Sequence, residues 1–153
     1  MTYNDFIMSL NVEQLAFVEP LNTLLMKNKC KAAFEEKASG ILASYKFGKP
    51  PKALLNLLFR KTGFKVRIYG ENMDNYRNFL NALPATMVEE IEGASPCKRL
   101  VSGGCSPKCS GYDFTIASAH FQKCRYNCFE FLVTSDTAAY IKTFIENELG
   151  ARG

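Results

Sequence analysis

The sequence predicts a single α+β domain over residues 1–153, a two-layer sandwich in which helices cover an antiparallel meander sheet and which carries a Cys-rich loop. Three observations predict this fold. Apolar and polar residues alternate through the middle of the chain, helical spacing appears at both ends, and no linker or internal repeat separates these parts. A length of 153 residues and a hydrophobic fraction of 47% suit one domain with its own core.

The strands are predicted from alternation of period two between residues 41 and 68. In the segment FKVRI at 64–68, apolar side chains face one way and basic side chains face the other. This pattern is typical of antiparallel strands with one packed face and one wet face. Short turn sequences at 39–40, 48–51 and 61–63 separate the strands, so a meander is expected.

The helices are predicted from apolar residues at helical spacing. The first helical segment covers residues 6–25, and Pro20 is expected to kink or interrupt it. A second helix is predicted between residues 72 and 84. The last helix begins at a cap at 135–136 and stops at Gly150, because serine and aspartate cap helices and glycine ends them.

Five of the six cysteines lie close together in the sequence. Disulfides are rare in the cytosol, so such a cluster indicates metal binding or redox chemistry. Sets rich in thiolate favour zinc, although the C-x3-C spacings here differ from the C-x2-C pairs of zinc ribbons. Cys30 stands apart and is expected to be a small buried apolar residue. The five clustered residues are Cys97, Cys105, Cys109, Cys124 and Cys128.

Strand geometry narrows the predicted ligand set. Two sulfurs on one zinc lie roughly 4 Å apart, whereas residues four apart on a strand are separated by about 13 Å. Cys124 and Cys128 therefore share a metal only if the predicted strand at 121–133 breaks or bulges. A hairpin turn at 117–120 would pair Cys109 with Cys128, and Cys124 with Asp113. The predicted zinc ligands are Cys97, Cys105, Cys109 and Cys128, with Cys124 as the substitute.

Enzymatic function is not expected. The sequence lacks the common nucleotide-binding, metalloprotease and serine-hydrolase motifs. Catalytic zinc sites usually include histidine, and the one histidine, His120, is predicted at a hairpin tip. No apolar run reaches the roughly 18 to 20 residues that span a bilayer. The first residues lack the pattern of a secretory signal, so a cytoplasmic location without membrane contact is expected.

Three functional hypotheses follow from these patterns. The first is a non-catalytic binding domain for a small molecule or a protein, stabilised by structural zinc. The second is a thiol-based redox protein or sensor that uses the cysteines between 97 and 128. The third is a weakly basic nucleic-acid-binding module, since the net charge is +4 and several basic residues surround the cysteines. These residues are Lys98, Arg99, Lys108, Lys123 and Arg125.

Overall fold

The predicted antiparallel sheet is present and has five strands in the order β1-β2-β3-β4-β7. The computed structural model describes residues 1–104 and 109–153. All neighbouring strands are antiparallel, and the first four follow one another as the expected meander. Two further strands, β5 and β6, form a separate hairpin. The strands are β1 Lys31–Lys37, β2 Gly40–Phe47, β3 Lys52–Arg60, β4 Gly63–Ile68, β5 Tyr112–Ile116, β6 Ala119–Lys123 and β7 Glu130–Leu132.

Helices from both ends of the chain and from its middle pack on one face of this sheet. Each long helix contributes buried apolar side chains to a single core, which confirms the predicted α+β arrangement. Among the described residues, no helix has the length and apolar character needed to cross a membrane. The helices are α1 Tyr3–Met8, α2 Val12–Lys27, α3 Arg77–Asn81, α4 Ala85–Gly93, α5 Lys98–Val101 and α6 Ala138–Arg152, with a 3-10 turn at Met73–Tyr76 before α3.

The alternation of apolar and polar residues in the sequence produces two adjacent rows of side chains that cross the sheet, one on each face. Ala43, Leu57, Val66 and Phe131 align across four strands, and each is 0–1% exposed. The adjacent residues point the opposite way and form a polar row on the outer face. The polar row consists of Ser44, Asn56, Arg67 and Glu130. One face of the sheet is therefore core, and the other carries polar side chains.

A register shift between Tyr45 and Lys46 interrupts the alternation in β3. Tyr45 pairs with Leu55 and Lys46 pairs with Ala53, so Leu54 is an extra residue on that strand. Leu54 and Leu55 are both fully buried in the core, as expected where a β-bulge turns consecutive side chains to one side. The bulge explains why Leu54 and Leu55 are apolar at neighbouring positions.

Several predicted helix boundaries are wrong. α2 runs without a break from Val12 to Lys27 and contains Pro20, so the expected interruption is absent. The helix expected at 72–84 is a 3-10 turn followed by the five-residue α3. α6 starts after Thr137 instead of a cap at 135–136.

Gly150 lies inside α6, which continues to Arg152. A buried ion pair anchors this last turn to the core.

The alternation in the sequence does not predict the edge strand β1 as a separate strand. Six of its seven residues are exposed, so it has no apolar alternation.

The last turn of α6 carries a buried ion pair. Glu148 is fully buried and accepts a hydrogen bond from the Arg152 Nε at 2.6 Å. The Glu148 carboxylate also accepts the backbone N–H groups of Glu71 and Asn72 and the Tyr76 hydroxyl. The Arg152 guanidinium donates to the carbonyls of Ala53 and Tyr69. The pair therefore ties α6 to β3 and to the segment after β4.

Replacing Glu148 with glutamine is expected to lower the free energy of unfolding by about 3–5 kcal/mol, because it leaves the Arg152 charge buried without its partner. Glu146→Gln is the matched control, since Glu146 is an exposed residue of the same helix, and it should change stability by less than about 0.5 kcal/mol. Urea unfolding measures both values. Equal effects in the two variants would contradict the structural role of the pair.

Candidate functional site: the cysteine region

The cysteine region is defined here as residues 95–104, 109–111 and 122–128. Its first part lies beside the end of β6. The Cys97 N–H donates to the Gln122 carbonyl at 2.9 Å, and the Cys124 N–H donates to the Ser95 carbonyl at 2.8 Å. Pro96 forms an isolated antiparallel bridge with Lys123. Residues 95–97 therefore lie along the edge of the β5–β6 hairpin, with Ser95 opposite Cys124 and Cys97 opposite Gln122.

Side chains add to this connection at the end of α4. The Lys123 ammonium donates to the carbonyls of Glu92 and Ala94 at 2.8 and 3.0 Å. A cation at this position compensates the carbonyls that a helix end leaves without partners. The Ser95 N–H donates to the Asn127 side-chain oxygen at 3.2 Å. The end of α4 is thus held to both sides of Cys124.

The segment that carries Cys124 and Cys128 is a helical turn. β6 ends at Lys123, and the N–H groups of Asn127 and Cys128 both donate to the Cys124 carbonyl, at 3.2 and 2.9 Å. The predicted single strand at 121–133 is therefore wrong. Residues four apart on a helical turn have Cβ atoms roughly 5–6 Å apart. The separation of about 13 Å expected for residues four apart on a strand therefore does not apply to Cys124 and Cys128.

The chain changes sheets after this turn. β7 begins at Glu130 and pairs with β4 instead of β5. A helical turn therefore replaces the β-bulge expected near Asn127. It also accounts for the change in side-chain parity along 121–133, since the two halves belong to different sheets.

The register of the β5–β6 hairpin also differs from the prediction. The turn has two residues, Ala117 and Ser118, with φ values of 47° and 74°. Asp113 pairs with Gln122, so the expected pairings of Cys124 with Asp113 and of Cys109 with Cys128 are not formed. Two-residue turns with positive φ usually contain Asn-Gly or Asp-Gly. Ala-Ser does not carry that signal, which is why the sequence suggested a longer turn.

Cys97 lies against Gly111. A side-chain Cβ placed on Gly111 would be 2.1 Å from the Cys97 sulfur, and Cys97 is only 3% exposed. Gly111 follows Cys109 by two residues, so the chain entering β5 brings the Cys109 segment toward Cys97. Cys109 itself is partly exposed. Glycine is required at this close approach because any side chain would displace the thiol.

Cys128 is fully buried and belongs to the hydrophobic core, whereas Cys124 is partly exposed. Burial raises the pKa of the Cys128 thiol, and the Lys123 charge only partly offsets this effect. Cys30, which follows α2, is 3% exposed and packs in the core. Cys30, Cys97, Cys124 and Cys128 carry free thiols.

Three of the four predicted zinc ligands, Cys97, Cys109 and Cys128, lie among the described residues, as does the substitute Cys124. Cys105 lies outside the described residues, as does Lys108. Within residues 1–104 and 109–153, no group of three or more histidine, cysteine, aspartate or glutamate side chains is arranged to hold a metal ion. The set Cys97, Cys105, Cys109 and Cys128, with Cys124 as substitute, therefore remains a prediction.

Arg125, one of the basic residues around the cysteines, contacts other residues of the protein through its guanidinium group. Its guanidinium carbon lies 5.1 Å from the centre of the Tyr69 ring and 5.8 Å from that of Tyr112. The same guanidinium forms an ion pair with Glu71. Cation–π contacts of this kind stabilise a partly desolvated arginine. Arg125 thus fixes the Cys124 turn to the end of β4.

His120 lies on the exposed side of the β5–β6 hairpin. Its Nε2 is 2.5 Å from Asp113 Oδ1, and the two side chains are 57% and 50% exposed. Asp113 also accepts a hydrogen bond from Gln122. His120 therefore belongs to a surface polar cluster with these residues.

Comparison with known protein families, curated proteins and solved structures gives no match for this chain.

Replacing Gly111 with alanine is expected to destabilise the protein by about 1–3 kcal/mol, because the new methyl group overlaps the Cys97 sulfur. Gly93→Ala is the control, since nothing lies within 4 Å of a Cβ at this last residue of α4. That change should be neutral or stabilising by up to about 1 kcal/mol. Denaturant unfolding compares the two. A Gly111→Ala variant as stable as the control would show that Cys97 is not confined there.

Proposed function

We propose that the chain is a cytoplasmic, non-catalytic binding domain whose cysteine region is held by one structural zinc ion. The observation that carries this proposal is the position of Cys97, which is hydrogen-bonded to the end of β6 and lies against Gly111, two residues after Cys109. The proposed ligands are Cys97, Cys105, Cys109 and Cys128, with Cys124 as the substitute.

The donor chemistry and the local backbone support zinc. Four thiolates in tetrahedral geometry make a closed structural site, and such a site does not need a histidine. A backbone hydrogen bond joins Cys97 to Gln122, two residues before Cys124, and Gly111 lets the chain after Cys109 pass against Cys97. A zinc ion there would cross-link segments that hydrogen bonds already join. Its contribution would therefore be to stability.

The fourth ligand is the open choice within this proposal. Cys128 comes from the core, and Cys124 lies at the partly exposed start of the same helical turn. If the Cys128 side chain turned toward a metal, it would lose its contacts in the hydrophobic core. The Cys124 side chain is partly exposed and would lose no such contacts. The helical turn makes both thiols available to one ion, so loss of one can be compensated by the other.

A redox function is the alternative. Catalytic or sensing cysteines need a stabilised thiolate. Burial raises the pKa of Cys128, which opposes this requirement. The two cations flanking Cys124 are already committed, Lys123 to the carbonyls at the end of α4 and Arg125 to Glu71. These contacts favour a structural metal over a reactive thiol.

A groove supports the binding part of the proposal. It lies between α2, α6 and the adjoining ends of β4 and β7 and encloses about 900 Å³. Phe17, Leu21, Phe64 and Val133 give it an apolar lining, and Lys142 is one of its polar residues. Pockets for small molecules are typically about 300–1,000 Å³ and mostly apolar. A small molecule or a protein segment with an apolar surface fits this environment.

Metal analysis of protein purified without added metal tests the proposal. About one zinc per chain is expected, and chelation should remove it and lower the thermal midpoint. Absence of zinc, together with rapid alkylation of Cys124 at neutral pH, would replace the zinc proposal with the redox alternative.

Cysteine-to-serine variants test the ligand set. Cys97→Ser, Cys105→Ser and Cys109→Ser should each lose most of the zinc, because serine does not replace a thiolate ligand. Cys124→Ser and Cys128→Ser should each retain zinc, and the double variant should lose it. Cys30→Ala is the control and should keep one zinc per chain. Zinc retained in the double variant would contradict the contribution of the 124–128 turn.

A further inference from the structure

The outer face of the five-stranded sheet is defined here by the side chains that point away from the helices. Its central polar row is Ser44, Asn56, Arg67 and Glu130. The helices and the β5–β6 hairpin place their buried residues in the core on the opposite face. The outer face adjoins the cysteine region at Tyr126, whose ring contacts Tyr69, and is separate from the groove between α2 and α6.

Basic side chains outnumber acidic ones on this face. Lys31 and Lys46 are directly paired on neighbouring strands, and both are exposed. Like charges directly opposite one another destabilise a sheet, so an anion bound between them would relieve a repulsion already present. The strands contribute six basic residues to the outer face, Lys31, Lys37, Lys46, Arg60, Lys65 and Arg67, and two acidic ones, Glu35 and Glu130. Glu90 of α4 adds a carboxylate at the β7 edge, near Lys65 and Glu130.

Arginines flank a shallow apolar depression on the same face. The depression encloses about 360 Å³, and its lining includes Leu42, Leu58, Arg60 and Arg67. Glu130 holds both guanidinium groups, with N–O distances of 3.1 Å to Arg60 and 3.0 Å to Arg67. A guanidinium has five N–H donors, so these pairs orient the arginines and leave donors for a phosphate. An apolar floor with arginines at its rim suits a nucleobase and its phosphate.

A second stacking surface lies farther along the strands. Tyr126 is 55% exposed, and its ring stands edge-on to Tyr69 at 6.3 Å between centroids. Asn56 in the polar row donates to the Tyr69 hydroxyl, at 3.4 Å. The Tyr69 N–H donates to the Leu54 carbonyl, which places Tyr69 four residues along β3 from Leu58, roughly 13 Å away. The polar row lies between the two stacking surfaces.

We propose that the outer face binds single-stranded nucleic acid. Leu42 and Leu58 take one base, Tyr126 stacks on another, and Lys31, Lys46, Arg60 and Lys65 contact the phosphates. Base stacking combined with a basic track is how proteins bind single strands without strict sequence preference. A duplex offers phosphates but hides its base faces, and an acidic peptide has no bases to occupy the two stacking surfaces.

Fluorescence polarisation with labelled 12-nucleotide single-stranded RNA and DNA tests this proposal. Binding of at least one single strand, weakening steeply with salt and stronger than binding of a duplex of the same length, is expected. Tyr126→Ala should weaken binding roughly tenfold by removing a stacking surface. Lys46→Glu should also weaken it and lower the salt dependence.

Two controls separate the outer face from net charge and general aromatic content. Tyr140→Ala removes an exposed tyrosine of α6, and Arg77→Glu makes the same charge change at an exposed position of α3. Both controls should bind like the unaltered protein. Equal weakening in Lys46→Glu and Arg77→Glu, tighter binding of the duplex, or no binding of either strand at low salt would overturn the proposal.

Zinc analysis of the outer-face variants separates the nucleic-acid proposal from the zinc proposal. Zinc content should be unchanged in Lys46→Glu, because Lys46 lies on β2 and outside the cysteine region. Loss of binding in this variant with zinc retained therefore concerns the outer face alone. If Lys46→Glu does not fold, Lys46→Gln provides the same test with a smaller loss of affinity.

Discussion

The fold depends on a sheet that buries one face only. The row from Ala43 to Phe131 is 0–1% exposed, and the neighbouring row from Ser44 to Glu130 consists of polar and charged side chains. Because side chains alternate along a strand, a slip of one residue would exchange these two rows. The register is therefore strongly specified. The helices that carry buried apolar side chains then lie on the apolar face, which leaves the opposite face for charged and polar groups.

The cysteine region lies where the chain passes from the β5–β6 hairpin to β7 of the main sheet. β6 does not continue into β7, because β6 pairs with β5 in the separate hairpin whereas β7 pairs with β4 in the main sheet. The chain makes the change with the helical turn from Cys124 to Cys128. Lys123 and Arg125 hold the two sides of this turn, through the end of α4 and through Glu71. The same turn places two cysteines on one side of a helical backbone, which is the geometric basis of the zinc proposal.

Much of the fold was predictable because β2, β3 and β4 carry regular alternation and the terminal helices carry regular apolar spacing. The errors have local causes. β1 is an exposed edge strand without an apolar pattern, the Ala117–Ser118 turn lacks glycine, and α6 continues past Gly150 because Arg152 is held by Glu148. Residue types and spacing predicted a cysteine cluster. They did not predict how its segments are arranged, because the change of sheets at Cys124–Cys128 depends on long-range packing.

The zinc proposal requires that cysteine thiolates alone surround the ion. X-ray absorption spectroscopy of zinc in the purified protein tests this requirement, since it reads the ligand atoms and their distances. About one zinc per chain is expected, with four sulfur neighbours at about 2.3 Å. Zinc surrounded mainly by nitrogen or oxygen, or protein that takes up no zinc at micromolar concentration, would contradict it.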